Sequence, residues 1–83
     1  MYETTYIIFD VECTVLFFAS GKSDEPYVAI EDVEFDKTNL SKEDLESIRL
    51  EILDNWSDIR ETCARHYLSG KARWTDPVAS KIA

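Results

Sequence analysis

The sequence predicts a single α+β domain, residues 1–83: a small antiparallel sheet of two to three strands packed on one long C-terminal helix (ββα or βββα), followed by an extended C-terminal tail. Three observations predict it. Residues 7–19 alternate apolar and polar side chains with period two; a cluster of turn formers at 20–26 leads into a second β-branched and aromatic run; and an apolar stripe at steps of three and four runs from Leu45 to Tyr67. The sheet region is expected at 1–36, the helix at 41–69 and the tail at 70–83. A chain of 83 residues leaves no room for a second domain, and its core must be small.

The first run places Ile7, Phe9, Val11, Cys13, Val15, Phe17 and Ala19 on one face, with Asp10, Glu12 and Thr14 between them. Such alternation means strand. Residues 2–19 form either one long, bulged strand or two strands joined near Asp10 to Glu12; the lack of a Gly or Pro turn signal favours the first. Ser20 to Pro26 then supplies a turn, and Tyr27 to Phe35 returns as an antiparallel partner. Val28 and Ile30 fall on one face of that strand and Val33 and Phe35 on the other, a phase change across Glu31-Asp32 that indicates a bulge or a strand end.

The helix has clear termini. Ser41 is an N-cap, Leu40 and Leu45 are placed as a hydrophobic staple, and Glu43 and Asp44 suit the positive end of the dipole. Leu45, Ile48, Ile52, Trp56, Ile59, Cys63 and Tyr67 form one stripe, and Gly70 stops the helix. Unbroken, it spans about 28 residues and roughly 40 Å at ~1.5 Å per residue. A break near Asn55 to Ser57, with Ser57 capping a second helix, is the alternative. Lys71 to Ala83 has Pro77, a lone Trp74 and no periodicity, and reads as tail.

Charge limits the partners. The formal net charge is -8, with 15 acidic residues against 4 basic through Asp58 and 2 against 5 after it. An acidic body repels nucleic acid and membrane phosphates and attracts basic protein surfaces. Direct nucleic-acid binding is therefore not expected, since Arg60, Arg65, Lys71, Arg73 and Trp74 are the only candidates for a basic stripe. The most apolar stretch, Tyr6 to Ala19, contains Asp10 and Glu12 and falls short of the ~20 residues of a membrane span. Cys13 and Cys63 sit in apolar patterns with no leader expected before them, as buried reduced thiols of a cytoplasmic protein do.

The chemistry-bearing motifs fail on their spacing. Gly21-Lys22-Ser23 lacks the glycine five residues earlier that a phosphate loop needs, because Leu16 stands there. Cys63-x-x-His66 offers two zinc ligands where four are wanted. A calcium loop starting at Asp36 would need Gly and Glu where Ser41 and Ser47 stand. His66 is the only histidine, and no serine or cysteine is visibly placed to use it as a base. The expectation is a protein without cofactor, metal or catalytic residues.

Two groups of residues are the candidate binding sites. The acidic group is Glu31, Asp32, Glu34, Asp36, Glu43, Asp44, Glu46 and Glu51. The apolar group is Tyr6, Ile8, Leu16, Phe18, Trp56, Tyr67 and Trp74. On the even face of the first strand Tyr6 and Ile8 lie at one end and Leu16 and Phe18 at the other, and one helix can cover only one face of a small sheet. The apolar surplus points to a homodimer or a tight heteromeric complex, with aromatics as anchors.

Val28-Ala-Ile-Glu-Asp-Val-Glu-Phe-Asp followed by Thr38-Asn-Leu-Ser-Lys-Glu-Asp-Leu-Glu-Ser-Ile resembles small acidic accessory proteins of bacteriophages and prophages, over about residues 11 to 56. The resemblance implies an accessory protein in the host cytoplasm that binds and blocks a host or defence factor, and it supplies no catalytic residues. One form of this reading is nucleic-acid mimicry, in which the acidic group occupies a site meant for phosphates. The basic tail and the long N-terminal strand depart from that pattern. An acidic antitoxin or immunity protein and a structural assembly subunit are the alternatives.

Overall fold

The computed structural model describes residues 1–21 and 24–75. Its first strand, β1 (Tyr2–Ile8), turns back through Phe9 and Asp10 into β2 (Val11–Ser20), which pairs in turn with β3 (Tyr27–Phe35). Helices α1 (Lys42–Asp54) and α2 (Trp56–Ser69) follow, and a short β4 (Arg73–Trp74) closes the described chain. The sheet is antiparallel throughout, in the order β3-β2-β1-β4.

This corrects the expected fold in three places. The sheet has four strands among the described residues and not two or three; two short helices replace the one long helix; and part of the expected tail is β4, with Trp74 paired to Tyr2 and Arg73 to Glu3. Residues 76–83 of that tail, Pro77 among them, lie outside the described residues.

The first correction has its cause in a two-residue turn. Phe9 and Asp10 both adopt positive φ, 49° and 63°, the backbone of a tight hairpin whose twist matches its strands. Asn-Gly is the usual sequence there, so a Phe-Asp pair gives little warning. The turn also exchanges faces. Tyr2, Thr4, Tyr6 and Ile8 stand opposite Phe17, Val15, Cys13 and Val11, so the even positions of β1 share a face with the odd positions of β2. Ile7 and Phe9, expected in the core row, are instead 62% and 63% exposed, while Ile8 is buried.

The helix breaks at Asn55. Its φ and ψ of -103° and 16° leave the helical region, its N–H donates to the carbonyl of Glu51, and its side-chain amide donates to the same carbonyl and to the Glu51 carboxylate, each 2.8 Å. Asn55 thus ends α1 and begins α2, with Ser57 already inside the second helix. A rod of roughly 40 Å would overrun strands of seven to ten residues, which span only about 23 to 34 Å at 3.3 to 3.4 Å per residue. The break keeps the stripe on the sheet. Ser41 Oγ accepts from the N–H of Asp44 at 3.1 Å, and Gly70 closes α2 with φ 79°, so both outer termini are as the sequence predicts.

The core is one layer between the helices and one face of the sheet. Cys13, Val15 and Phe17 of β2 and Ile59 and Cys63 of α2 are fully buried, joined by Ile8, Val28, Ile48 and Ile52. β3 joins the same layer along its length because the pairing skips Glu31: Leu16 faces Asp32 but Phe17 faces Ile30. That bulge resolves the phase change in the sequence, bringing Val28, Ile30, Val33 and Phe35 onto the face of Phe17, Val15 and Cys13. Tyr2 sits at the end of the layer with its ring 5.1 Å from Tyr67 and 5.0 Å from Trp74, both edge-on.

Positive φ at a bulky aromatic carries a conformational cost of order 1–3 kcal/mol. Replacing the turn by its preferred residues, Phe9→Asn with Asp10→Gly, is expected to raise stability by about 1 kcal/mol and the Tm by roughly 4–8 °C, as read by thermal unfolding followed by circular dichroism.

Candidate functional site

The face of the sheet opposite the helices has no described element packed on it. Residues paired across strands point to the same side, so its rows follow from the register. Ile7 lies beside Glu12; Thr5, Thr14 and Glu34 form a second row; Glu3, Leu16 and Asp32 a third; Phe18 and Ala29 a fourth; Ser20 and Tyr27 a fifth. Arg73 of β4 extends the third row past Glu3, which it approaches at 3.8 Å in a mostly solvated pair that contributes little. Ile7, Phe18 and Tyr27 are exposed at 62%, 44% and 68%. The face therefore holds an apolar patch of Leu16, Phe18, Ala29 and Tyr27, flanked by the carboxylates of Glu3, Asp32 and Glu34, while the Thr5–Thr14 row separates it from Ile7 and Glu12.

The eight acidic candidates do not form one surface. Asp32 and Glu34 stand on the open face, and Glu31 is the extra residue of the bulge. Asp36 is engaged locally: its carboxylate accepts from the N–H of Thr38 at 2.9 Å and from the Thr38 hydroxyl, which holds its pKa below the usual carboxylate value. Asp32 likewise accepts from the N–H of Val33, at 2.9 Å. Glu43 and Asp44 occupy the first turn of α1 and Glu46 is exposed beyond them. Glu51 turns the other way, bonded to Asn55 beside the β1–β2 turn.

The apolar candidates divide as well. Ile8 is core, and Tyr6, Trp56 and Tyr67 are half-buried against it. Leu16 and Phe18 are on the open face, and Trp74 is exposed at the sheet's edge strand. Sequence reasoning missed Ile7, Phe9 and Tyr27, and also Leu50 and Leu53 on the outside of α1. Recognising the turn would have found the first two. Leu50 and Leu53 stand outside the stripe that runs through Ile48 and Ile52, which is a visible signal.

A second feature is a polar cleft of about 280 Å³ at the edge of β1, lined by Thr4, Thr5, Thr14, His66, Lys71 and Arg73 together with Glu3. Thr4 Oγ1 and His66 Nδ1 share a hydrogen bond that ties β1 to the last turn of α2. Burial, and then repulsion from Lys71 and Arg65, lowers the His66 pKa, so the imidazole is neutral at pH 7. A hydroxyl bonded to an imidazole is half of a nucleophile–base arrangement; among the described residues no carboxylate orients the far side of the ring. The two thiols are protonated at neutral pH, because burial pushes Cys63 up to about 11 and also raises Cys13. Among the described residues no three His, Cys, Asp or Glu side chains gather as metal ligands, and no helix is long and apolar enough to cross a membrane. Lys22 and Ser23 of the glycine-lysine-serine run lie outside the described residues.

Two titrations test these contacts. The folded protein resists protonating His66 while the unfolded chain takes up the proton near pH 6.5, so this contribution to stability is present above pH 6.5 and lost as the pH falls below it. Between pH 7.5 and 5 the Tm of His66→Asn is expected to fall less than that of the wild type. Tyr6 donates to the carboxylate of Asp58, and that bond, with burial and the negative charge of Asp58, raises the phenol to about 12. The Tyr6 contribution is then intact below pH 10 and lost as the pH rises through 12; in Asp58→Asn, ultraviolet titration should show this phenol ionising closer to 10.

No protein-family model, curated protein or solved structure matches the chain.

Proposed function

We propose that the chain is a non-enzymatic accessory protein of the phage type, which binds a host or defence protein and inhibits it by docking the open face of its sheet on a basic, apolar-centred surface. The observation that carries this reading is the uncovered strip of Leu16, Phe18, Ala29 and Tyr27, with Asp32 and Glu34 beside it and Glu12 farther along the same face. Apolar area bordered mainly by carboxylates, with Arg73 paired to Glu3 at one side, suits a basic partner, with the rings as anchors and the carboxylates setting orientation and encounter rate. Packing this face on a second copy of itself would set Glu12, Asp32 and Glu34 against like charges, so a partner of a different chain is favoured. The resemblance of residues 11 to 56 to phage accessory proteins supplies the class of target. Nucleic-acid mimicry is a narrower form of the same reading, carried by the open-face carboxylates Glu12, Asp32 and Glu34, with Glu43, Asp44, Glu46 and Glu51 of α1 taking no part.

The test is affinity capture from host lysate at low and high salt with the wild type, Phe18→Asp, and the double reversal Glu12→Lys/Glu34→Lys. All of these side chains are at the surface, so each variant is expected to keep its far-ultraviolet spectrum and its Tm within about 2 °C. The expected result is a basic protein held by the wild type at low salt, released by high salt, and absent from both variants. If the variants capture the same proteins as the wild type, the open face is not the docking surface.

A further inference from the structure

An open sheet edge is a template for another strand, and the two edges of this sheet differ. β3 carries a bulge at Glu31 and three carboxylates in Glu31, Asp32 and Glu34, features that blunt pairing. β1 has β4 beside it only at Tyr2 and Glu3. From Thr4 to Ile8 its edge reads Thr-Thr-Tyr-Ile-Ile, with no charge, proline or bulge. The carbonyl of Met1 accepts from Thr75 on this side, so strand alternation turns the N–H and C=O groups of Thr5 and Ile7 outward with it. One end of the edge carries the exposed Phe9 and Asp10, held out in a strained turn; the other carries the threonine-lined cleft with Lys71 and Arg73.

We propose that two copies of the chain pair antiparallel along the β1 edge, about a two-fold axis at Ile7, each inserting its Phe9–Asp10 tip beside the Lys71 and Arg73 cleft of the other. In this register Ile7 faces Ile7 and Tyr6 faces Ile8, so the outward N–H and C=O groups of the two Ile7 residues bond across the axis. Beyond Ile8 each chain turns away into β2, so the Phe9–Asp10 tip meets the other copy as a turn and not as strand, bringing the Asp10 carboxylate toward Lys71 and the Arg73–Glu3 pair of its cleft. The contact is the same on both copies and closes on itself, which gives a dimer and not a filament. It joins two four-stranded sheets into one and covers Phe9, whose strained exposure nothing among the described residues repays. The pairing does not rest on the open-face reading, because it uses an edge and a turn that lie outside the patch of Leu16, Phe18, Ala29 and Tyr27.

Sedimentation across the micromolar range is expected to give a mass twice the 9.6 kDa of the chain. Asp10→Lys and Lys71→Glu should each weaken association at least about tenfold, and an equimolar mixture of the two should recover a heterodimer, because each tip then meets an opposite charge. The turn replacement Phe9→Asn/Asp10→Gly should lose the dimer without losing Tm, separating a broken interface from a broken fold. A wild-type monomer, a dimer that survives the turn replacement, or a mixture that stays monomeric overturns the proposal. Capture of a basic partner by the open face would be unaffected by the turn replacement, so the two readings fail separately.

Discussion

Side chains on a strand alternate between faces, and a two-residue turn fixes which row of one strand joins which row of the next. In this protein the Phe9–Asp10 connection puts the even positions of β1 with the odd positions of β2, and the rest of the architecture depends on that exchange. It sends Tyr6 and Ile8 toward the helices and leaves Ile7 outside. A connection one residue longer would invert β1, exposing Ile8 and driving Glu3 and Thr5 into the apolar layer. The bulge at Glu31 makes the same kind of adjustment on the other side of β2, re-phasing β3 so that Val28 and Phe35 can both face Phe17 and its neighbours. Two local irregularities therefore turn three imperfectly phased segments into one continuous apolar face.

That face is all the core such a chain can build. The layer is one side chain deep on each side, and its fully buried members come from β2 and α2. The helices must lie flat on it, which is why the apolar stripe of 45–67 runs continuously through a break at Asn55: periodicity keeps the buried side, and the break shortens the rods. Two short helices can cover one face of four strands but not both. The open face, with its apolar strip and carboxylate border, is a geometric result of the number of elements available.

Much of this was readable from the residues, and what was not has a physical reason. The strand character of 11–19 and 27–35, the Ser41 cap, the Gly70 stop and the bulge region at Glu31-Asp32 rest on local signals, and local signals specify local backbone. The turn at Phe9–Asp10 was hidden because neither residue announces positive φ. The break at Asn55 was one of two readings, since asparagine favours a cap while the apolar stripe runs through it without interruption. β4 could not be foreseen from Arg73 and Trp74 alone, because a two-residue strand exists only through its partner, β1. The site followed the same rule. Leu16 and Phe18 were recognisable from alternation within one strand, whereas Ile7, Phe9 and the Lys71 and Arg73 cleft depend on how separate segments meet. The acidic set, read as a single surface from its density along the chain, is divided by the fold among a sheet face, a helix start and the flank of α1.

The two cysteines face each other's layers, Cys13 projecting from the sheet and Cys63 from the helix above it, both without solvent contact. Neither can meet a reagent while the layers remain closed, and burial keeps both in the unreactive protonated form. Their alkylation therefore becomes a clock for separation of helix from sheet: the rate of modification reports how often the single apolar layer opens, without any probe being added to the molecule.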